Sequence, residues 1–511
     1  MVRPSQLWND LTSLHAGLDE QTCRKLAIAA LTVQILGALV APFTHLMLHG
    51  DGAYFVYALS VGEPWLLKWR DVATRASIYI ITVVPTQWIS QGLHLSPLAI
   101  SDLNGLVFYL IPALQFGAAC ALVWRRNSRY LIFPTAQYIL STSLGFGFPS
   151  EILLAPGFLW ICLFLTLDDR DPSILFFASL LGLVFSHELA IPAAFVAIAL
   201  AIYQARARDY AKAEHWRLIM VAIASASVLI LWAWVRLTGG GGGSDSNVIY
   251  VFDPRRVFNN VTAWLVIASV LMSITLSVKV ASWSSSRTAW CVAIIAAAAF
   301  PVLLRLAVPT VDFDQGRYDS ARTIVGVVMF ALAMAFVRAR LVRTAAASPL
   351  LAHVIPLALA VGLASSAGAG TAFMIDWMAS LRGLERVVLT ASGEPAPKFI
   401  SSDEAQARMP PDEAGAFNRI AFSWTLPYRS IVLANGREPA HIVYGTVDYR
   451  TYCRSAHAIL PAQSGIPTTT LDEMQWFTCG YTAPPTKHMT RDKLIALWRL
   501  VAARLGWVTD N

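Results

Sequence analysis

Asp51 lies between two glycines in THLMLHGDGAYF, residues 44–55, where the first long apolar run of the chain gives out. Three other places put ionisable groups at the end of an apolar run. They are Glu151 after FGFPS, His187 with Glu188 between two short apolar runs, and VDFDQGRYDSAR at 311–322, which holds Asp312, Asp314, Arg317, Tyr318 and Arg322. A carboxylate or imidazole within reach of a hydroxyl can take its proton, and the planar fork of a guanidinium suits a phosphate. Charges at a hydrocarbon boundary are expensive to desolvate, so a group of them gathered there is expected to have a task.

Each residue also has a plainer explanation. Aspartate flanked by glycine is good turn chemistry, and Glu151 suits the N-terminal dipole of the helix after it. His187 and Glu188 fit a solvated turn, while Arg317 and Arg322 fit interfacial anchors that snorkel toward headgroups. What favours function is that one topology brings all of them to one side of a membrane.

That topology follows from composition. The chain is 56% apolar and 14% charged, with a mean hydropathy of +0.54, which marks a polytopic α-helical membrane protein. In hydrocarbon the backbone must satisfy its own polar groups, so the spans are helices. The net charge of +7 then marks cytoplasmic loops rather than a nucleic-acid partner. Residues 26–48 are long enough to span and too long for the core of a cleaved signal peptide, so they read as a retained first helix with Arg3, Arg24 and Lys25 on the inner side.

Residues 49–103 read as one long outer loop. Its aromatic and basic mixture, with Trp65, Lys68, Trp69, Arg70, Tyr79 and Trp88, suits interfacial helices. Further spans are expected at 104–124, 130–148, 151–167, 173–186, 189–204, 217–237, 260–280, 289–308, 323–337 and 350–374, for about eleven in all. The pair 173–186 and 189–204 forms a hairpin with His187 and Glu188 at its outer tip. The inner segments of this layout hold 16 Lys and Arg against 8 in the longer outer ones, as the positive-inside rule requires. The pentaglycine at 239–243 reads as a flexible outer loop, without the Gly-Lys-Ser/Thr of a phosphate-binding loop.

From about residue 375 the composition changes. Ten prolines fall between 395 and 485, so 375–511 is expected to be a small α/β domain outside the membrane, following the 1–374 transmembrane domain. Ser401 with Glu404 predicts a capping box, RSIVLAN and AHIVYGTV predict strands, and residues 491–507 have helical spacing. Cys453 and Cys479 are the two cysteines of the outer domain and could pair in a disulfide or stay as buried thiols. No cysteine–histidine zinc spacing occurs.

An inside N-terminus, a long first outer loop opening on an acid, about eleven spans and an outer C-terminal domain together resemble the GT-C superfamily of integral-membrane glycosyltransferases. The Gly-Arg-Tyr at 316–318 is similar to the Arg-Tyr before a span in several of its branches. The resemblance is topological over the whole chain, and its motifs are short. It implies transfer of a sugar from a polyprenyl-phosphate donor to a glycan, lipid or protein acceptor, with Asp51 in the position of the catalytic base. Glu151, His187, Glu188, Arg317, Tyr318 and Arg322 would then bind donor or sugar. Many branches carry two adjacent acids in the first loop. Here Asp51 is followed by glycine, so the second acid is Glu63 or is absent, and a divalent cation stays open. An Ala- and Arg-rich composition fits a bacterial inner membrane, with the C-terminal domain periplasmic. A transporter or lipid flippase, in which buried carboxylates relay protons or bind ions, is the alternative.

Overall fold

The computed structural model describes residues 18–60, 76–125, 127–145, 149–167, 173–207, 223, 227, 260–279, 286–311, 313, 317–341, 349–390, 398–420, 425–435 and 440–444. These residues are mostly helical. Among the described residues, six helices are long and apolar enough to cross a membrane: α1 (Glu20–Phe43), α4 (Pro97–Val123), α9 (Val261–Lys279), α10 (Arg287–Ala307), α11 (Arg317–Leu341) and α12 (Pro349–Leu389). Shorter helices complete the bundle: α2 (Asp51–Ser60), α3 (Val84–Leu93), α5 (Ile132–Gly145), α6 (Ala155–Leu165), α7 (Ser173–Val184) and α8 (Ile191–Ala207). The span expected at 217–237 lies almost wholly outside the described residues, as do Glu63, Asp312, Asp314, Cys453, Cys479 and the helix expected at 491–507.

Side-chain size is sorted in α1 as a bilayer would sort it. Ala27, Ala30, Ala38 and Ala41 are buried against the bundle, whereas Ile28, Leu36, Leu39 and Phe43 are exposed. Small residues let helices approach, and large apolar ones meet lipid tails without penalty. The helix begins at Asp19, whose carboxylate accepts from the Thr22 amide at 2.8 Å. Gly368 serves close approach between α10 and α12, since a Cβ there would lie 2.2 Å from the Ala298 carbonyl oxygen.

The helix α12 is 41 residues long, so at 1.5 Å per residue it extends to about 60 Å, roughly twice the hydrocarbon thickness. The change of composition at 375 therefore falls inside a helix that runs on to Leu389. Beyond it, β1 (Lys398–Ser401) and β2 (His441–Tyr444) pair in parallel, Lys398 opposite His441 and Ser401 opposite Tyr444. Between the strands lie α13 (Ser402–Ala407), α14 (Pro411–Ile420) and α15 (Leu426–Leu433). Half of the expected capping box forms: Ser401 Oγ accepts from the Glu404 amide at 3.1 Å, while the Glu404 carboxylate accepts from Arg408 at 2.6 Å. Of the expected strand AHIVYGTV, His441–Tyr444 form β2, but RSIVLAN is not a strand. Its residues belong largely to α15, which opens with Pro427 in its first turn and carries Ser430, whose hydroxyl bonds back to the Leu426 carbonyl.

Residues 76–93 form one helical stretch, made of Ala76–Ile78, a π-turn at Tyr79–Val83 and then α3. It is not among the six helices fit to cross a membrane, and it exposes Ile80, Trp88 and Leu93.

Candidate functional site

The chain leaves α1 at Phe43 and passes through a 3₁₀ turn, Leu46–Leu48, before α2 begins at Asp51. Two residues of the turn have left-handed backbone: His45 at φ 46° and Gly50 at φ 52°. Glycine accepts this freely, whereas histidine is strained there, at a cost of about 1 kcal/mol or more. The His45 ring offsets that strain by pairing through Nδ1 with Asp102 Oδ1 at 2.7 Å. The same hydrogen bond raises the His45 pKa, against the opposing effect of burial. Gly52 is needed for space, since a Cβ would lie 2.1 Å from the Met47 carbonyl oxygen and 2.6 Å from Pro149 Cγ.

Two distant segments, α12 and α15, also hold the turn. Trp377, on α12, donates through Nε1 to the Thr44 carbonyl at 2.7 Å. Arg429, on α15, is fully buried and donates through Nε to the Leu48 carbonyl at 3.0 Å, with its guanidinium 5.0 Å from the centre of the Trp377 ring. His49 is fully buried too, edge-on to Phe373 and Trp377, each ring 5.2 Å away. The C-terminal segment therefore grips the turn that delivers Asp51.

Asp51 itself is 2% exposed, Glu151 is fully buried, and Arg322 lies between them. Arg322 donates through Nη2 to Asp51 Oδ2, and the same nitrogen is 3.6 Å from Glu151 Oε2. Its Nε donates to Ser150 Oγ at 3.1 Å. Asp51 opens α2, where an acid also meets the favourable end of the helix dipole. Glu151 opens a single 3₁₀ turn, Glu151–Leu154, ahead of α6.

His187 is not the solvated turn residue its position suggests. It is fully buried, and its Nδ1 accepts from the Leu189 amide at 3.1 Å, which closes the turn into Glu188–Ala190. That turn packs on α11 one helical turn beyond Arg322. A Cβ on Gly326 would stand 3.2 Å from Leu189 Cβ and 3.9 Å from Ile152 Cδ1. The hairpin tip and the Glu151 turn thus flank the same stretch of α11. Arg317 and Tyr318 open α11 and Glu188 opens its 3₁₀ turn, but the side chains of all three lie outside the described residues. Among the described residues no three of His, Cys, Asp and Glu come together as a metal-holding group. Cys23, Cys120, Cys162 and Cys291 are free thiols.

Of the residues singled out in the sequence, Asp51, Glu151 and Arg322 meet directly, and His187 packs beside the helix that carries Arg322. Sequence reasoning missed Ser150, His49, Trp377 and Arg429. Ser150 and His49 had a signal, the first as the immediate neighbour of Glu151 and the second two residues before Asp51 in THLMLHGDGAYF. No protein-family description, curated protein or solved structure matches the chain.

Proposed function

We propose that the protein is a membrane glycosyltransferase that moves a sugar from a polyprenyl-phosphate donor to a glycan, lipid or protein acceptor, with inversion. The observation that carries this reading is the buried meeting of Asp51, Arg322 and Glu151 where an apolar helix ends. Such a group supplies a proton acceptor and a phosphate ligand in one low-dielectric place.

In the resting protein Arg322 is paired with Asp51. A donor phosphate arriving at Arg322 competes for its guanidinium and releases the Asp51 carboxylate to act as base. Asp51 then takes the proton of the acceptor hydroxyl as that oxygen bonds to the anomeric carbon. The bond from the anomeric carbon to the phosphate oxygen breaks, and the polyprenyl phosphate leaves with the electron pair, its charge met by Arg322 and by Arg317. Glu151 holds Arg322 during the exchange, and His187 and Glu188 orient the sugar or the donor phosphate. Around this site we place about eleven spans in a bacterial inner membrane, the N-terminus cytoplasmic and the segment after α12 periplasmic, where it binds the acceptor.

The test is Asp51→Asn, scored for membrane abundance and for transfer of labelled sugar from a lipid-linked donor. Normal abundance with transfer abolished is expected. Normal abundance with full transfer sinks the mechanism. Reporter fusions after residues 128 and 400 check the orientation separately.

A further inference from the structure

A groove runs between α1 and α4, toward the end of α1 that lies away from Asp51. It holds about 510 Å³ and is lined by Ala27 and Leu31 of α1 and by Gly117, Ala121 and Trp124 along α4, with Arg125 just past the end of α4. Ile28 and Leu122 also line it and are exposed, so the groove opens sideways onto the apolar surface of the two helices. None of these residues belongs to the Asp51 site.

Gly117 lies in the interior of α4, where glycine costs about 0.5–1 kcal/mol relative to alanine. Close helix packing does not require it here, in contrast to Gly368. A Cβ at 117 would meet only Leu31 Cδ2, at 3.9 Å, which is an ordinary contact. What the missing side chain does is leave the groove open beside Leu31. The charge at the mouth is also unspent. Glu20 accepts from Arg24 Nη2 at 3.2 Å and from Ser128 Oγ at 2.8 Å, and it stands 3.8 Å from Arg129 Nε. Arg24 lies 5.8 Å from the centre of the Trp124 ring. Glu20 is thus committed to Arg24 and Arg129, and exposed Arg125 has no carboxylate partner among the described residues.

One cavity therefore joins an apolar channel to a guanidinium, whose planar fork suits a phosphate. Trp124 beside it has the amphipathic ring that favours headgroup depth. From Gly117 to Arg125 the helix rises about 12 Å at about 1.5 Å per residue, close to the roughly 15 Å of one leaflet of the hydrocarbon core. That length seats most of one acyl chain, and the exposed rim of Ile28 and Leu122 offers a second chain its own surface. Two chains under one phosphate make a diacyl glycerophospholipid, whereas a single polyprenyl chain would leave the rim bare. A choline headgroup brings its own cation and would leave Arg125 without a net counter-charge. We propose that the groove binds one phosphatidylglycerol molecule, its phosphate on Arg125 and one acyl chain between α1 and α4. This site stands whether or not Asp51 is catalytic.

The experiment uses the full-length protein in neutral detergent, with native mass spectrometry and thermal unfolding as readouts. Phosphatidylglycerol should form a one-to-one adduct and raise the unfolding temperature, and phosphatidylcholine with the same chains should bind at least about tenfold more weakly, the loss of a charge-assisted contact. Excess polyprenyl phosphate should leave the phosphatidylglycerol adduct in place. Arg125→Gln removes an exposed side chain and should fold normally, weaken phosphatidylglycerol about tenfold and leave phosphatidylcholine unchanged. Gly117→Leu fills the groove and should weaken both lipids. Equal binding of phosphatidylcholine by the unaltered protein overturns the proposal without any variant, as does one-for-one displacement of phosphatidylglycerol by polyprenyl phosphate. So does an Arg125→Gln protein, or a folded Gly117→Leu protein, that keeps full affinity for phosphatidylglycerol.

Discussion

Replacing Arg322 by Gln tests the central node without needing to know the substrate. Asp51 and Glu151 are both buried, and they share the Arg322 guanidinium. At the 3.6 Å between Arg322 Nη2 and Glu151 Oε2, and an effective dielectric constant near 20, the attraction is about 4–5 kcal/mol. Removing one partner of a buried ion pair costs about 3–5 kcal/mol for the same reason. The variant is therefore expected to unfold several degrees below the unaltered protein near neutral pH, measured by tryptophan fluorescence in detergent. Asp51→Asn combined with Arg322→Gln removes one of the two uncompensated charges, leaving Glu151, and should recover part of the lost stability. An Arg322→Gln protein as stable as the unaltered one near neutral pH would refute the reasoning, as would a double variant less stable than Arg322→Gln alone.

Other perturbations reach the supports of the site. The His45 pKa is raised in the folded protein from its usual 6.5 by the hydrogen bond to Asp102, so the pair stabilises fully below pH 6.5 and loses its effect as pH rises through the higher folded value. His45→Gln should abolish that alkaline loss in pH-dependent thermal unfolding. Gly52→Ala should cost about 1–3 kcal/mol and lower membrane abundance, because its methyl group would run into the Met47 carbonyl and Pro149. Gly368→Val should separate α10 from α12 and reduce abundance at least as much, since the obstruction is the Ala298 backbone. Arg429→Met should leave the protein able to insert yet make the turn before Asp51 easier to cleave by protease, because the bond to the Leu48 carbonyl is lost. Unchanged protection would show that Trp377 holds the turn alone.

The helical membrane class was legible because length and apolarity are properties of single segments. The Asp51 node was legible in part, for a related reason: charged groups at the ends of apolar runs are forced to similar depths, so Asp51, Glu151 and Arg322 could be gathered before any packing was known. Which acid meets which base depends on lateral packing, and that left no mark in the sequence. His187 shows the limit well. A two-residue connection looks exposed, yet this one packs onto α11 beside Gly326, and its side chain turns back onto the Leu189 amide. At residue 375 the composition shift suggests the end of a helix. The first proline after Pro356 is Pro395, however, so nothing stops α12 before Leu389. By composition Asp376 falls in a tail, and this hides its place between Arg305 and Arg419. RSIVLAN failed through brevity, since a short β-branched run cannot separate a strand from a buried helix.

The long α12 also gives the C-terminal segment a direct hold on the Asp51 turn. Asp376 and Trp377 are adjacent, and they face different partners. Asp376 takes Arg305 and Arg419, while Trp377 reaches the Thr44 carbonyl and lies beneath Arg429. The backbone of α12 thus joins a charged node to the turn that presents Asp51, and both nodes recruit an arginine from the segment beyond the bundle. A side chain such as Arg429, with its stem among apolar groups and its head on a buried carbonyl, loses both contacts if α15 withdraws. Displacement of α15 would therefore free the Leu48 carbonyl and expose one face of Trp377.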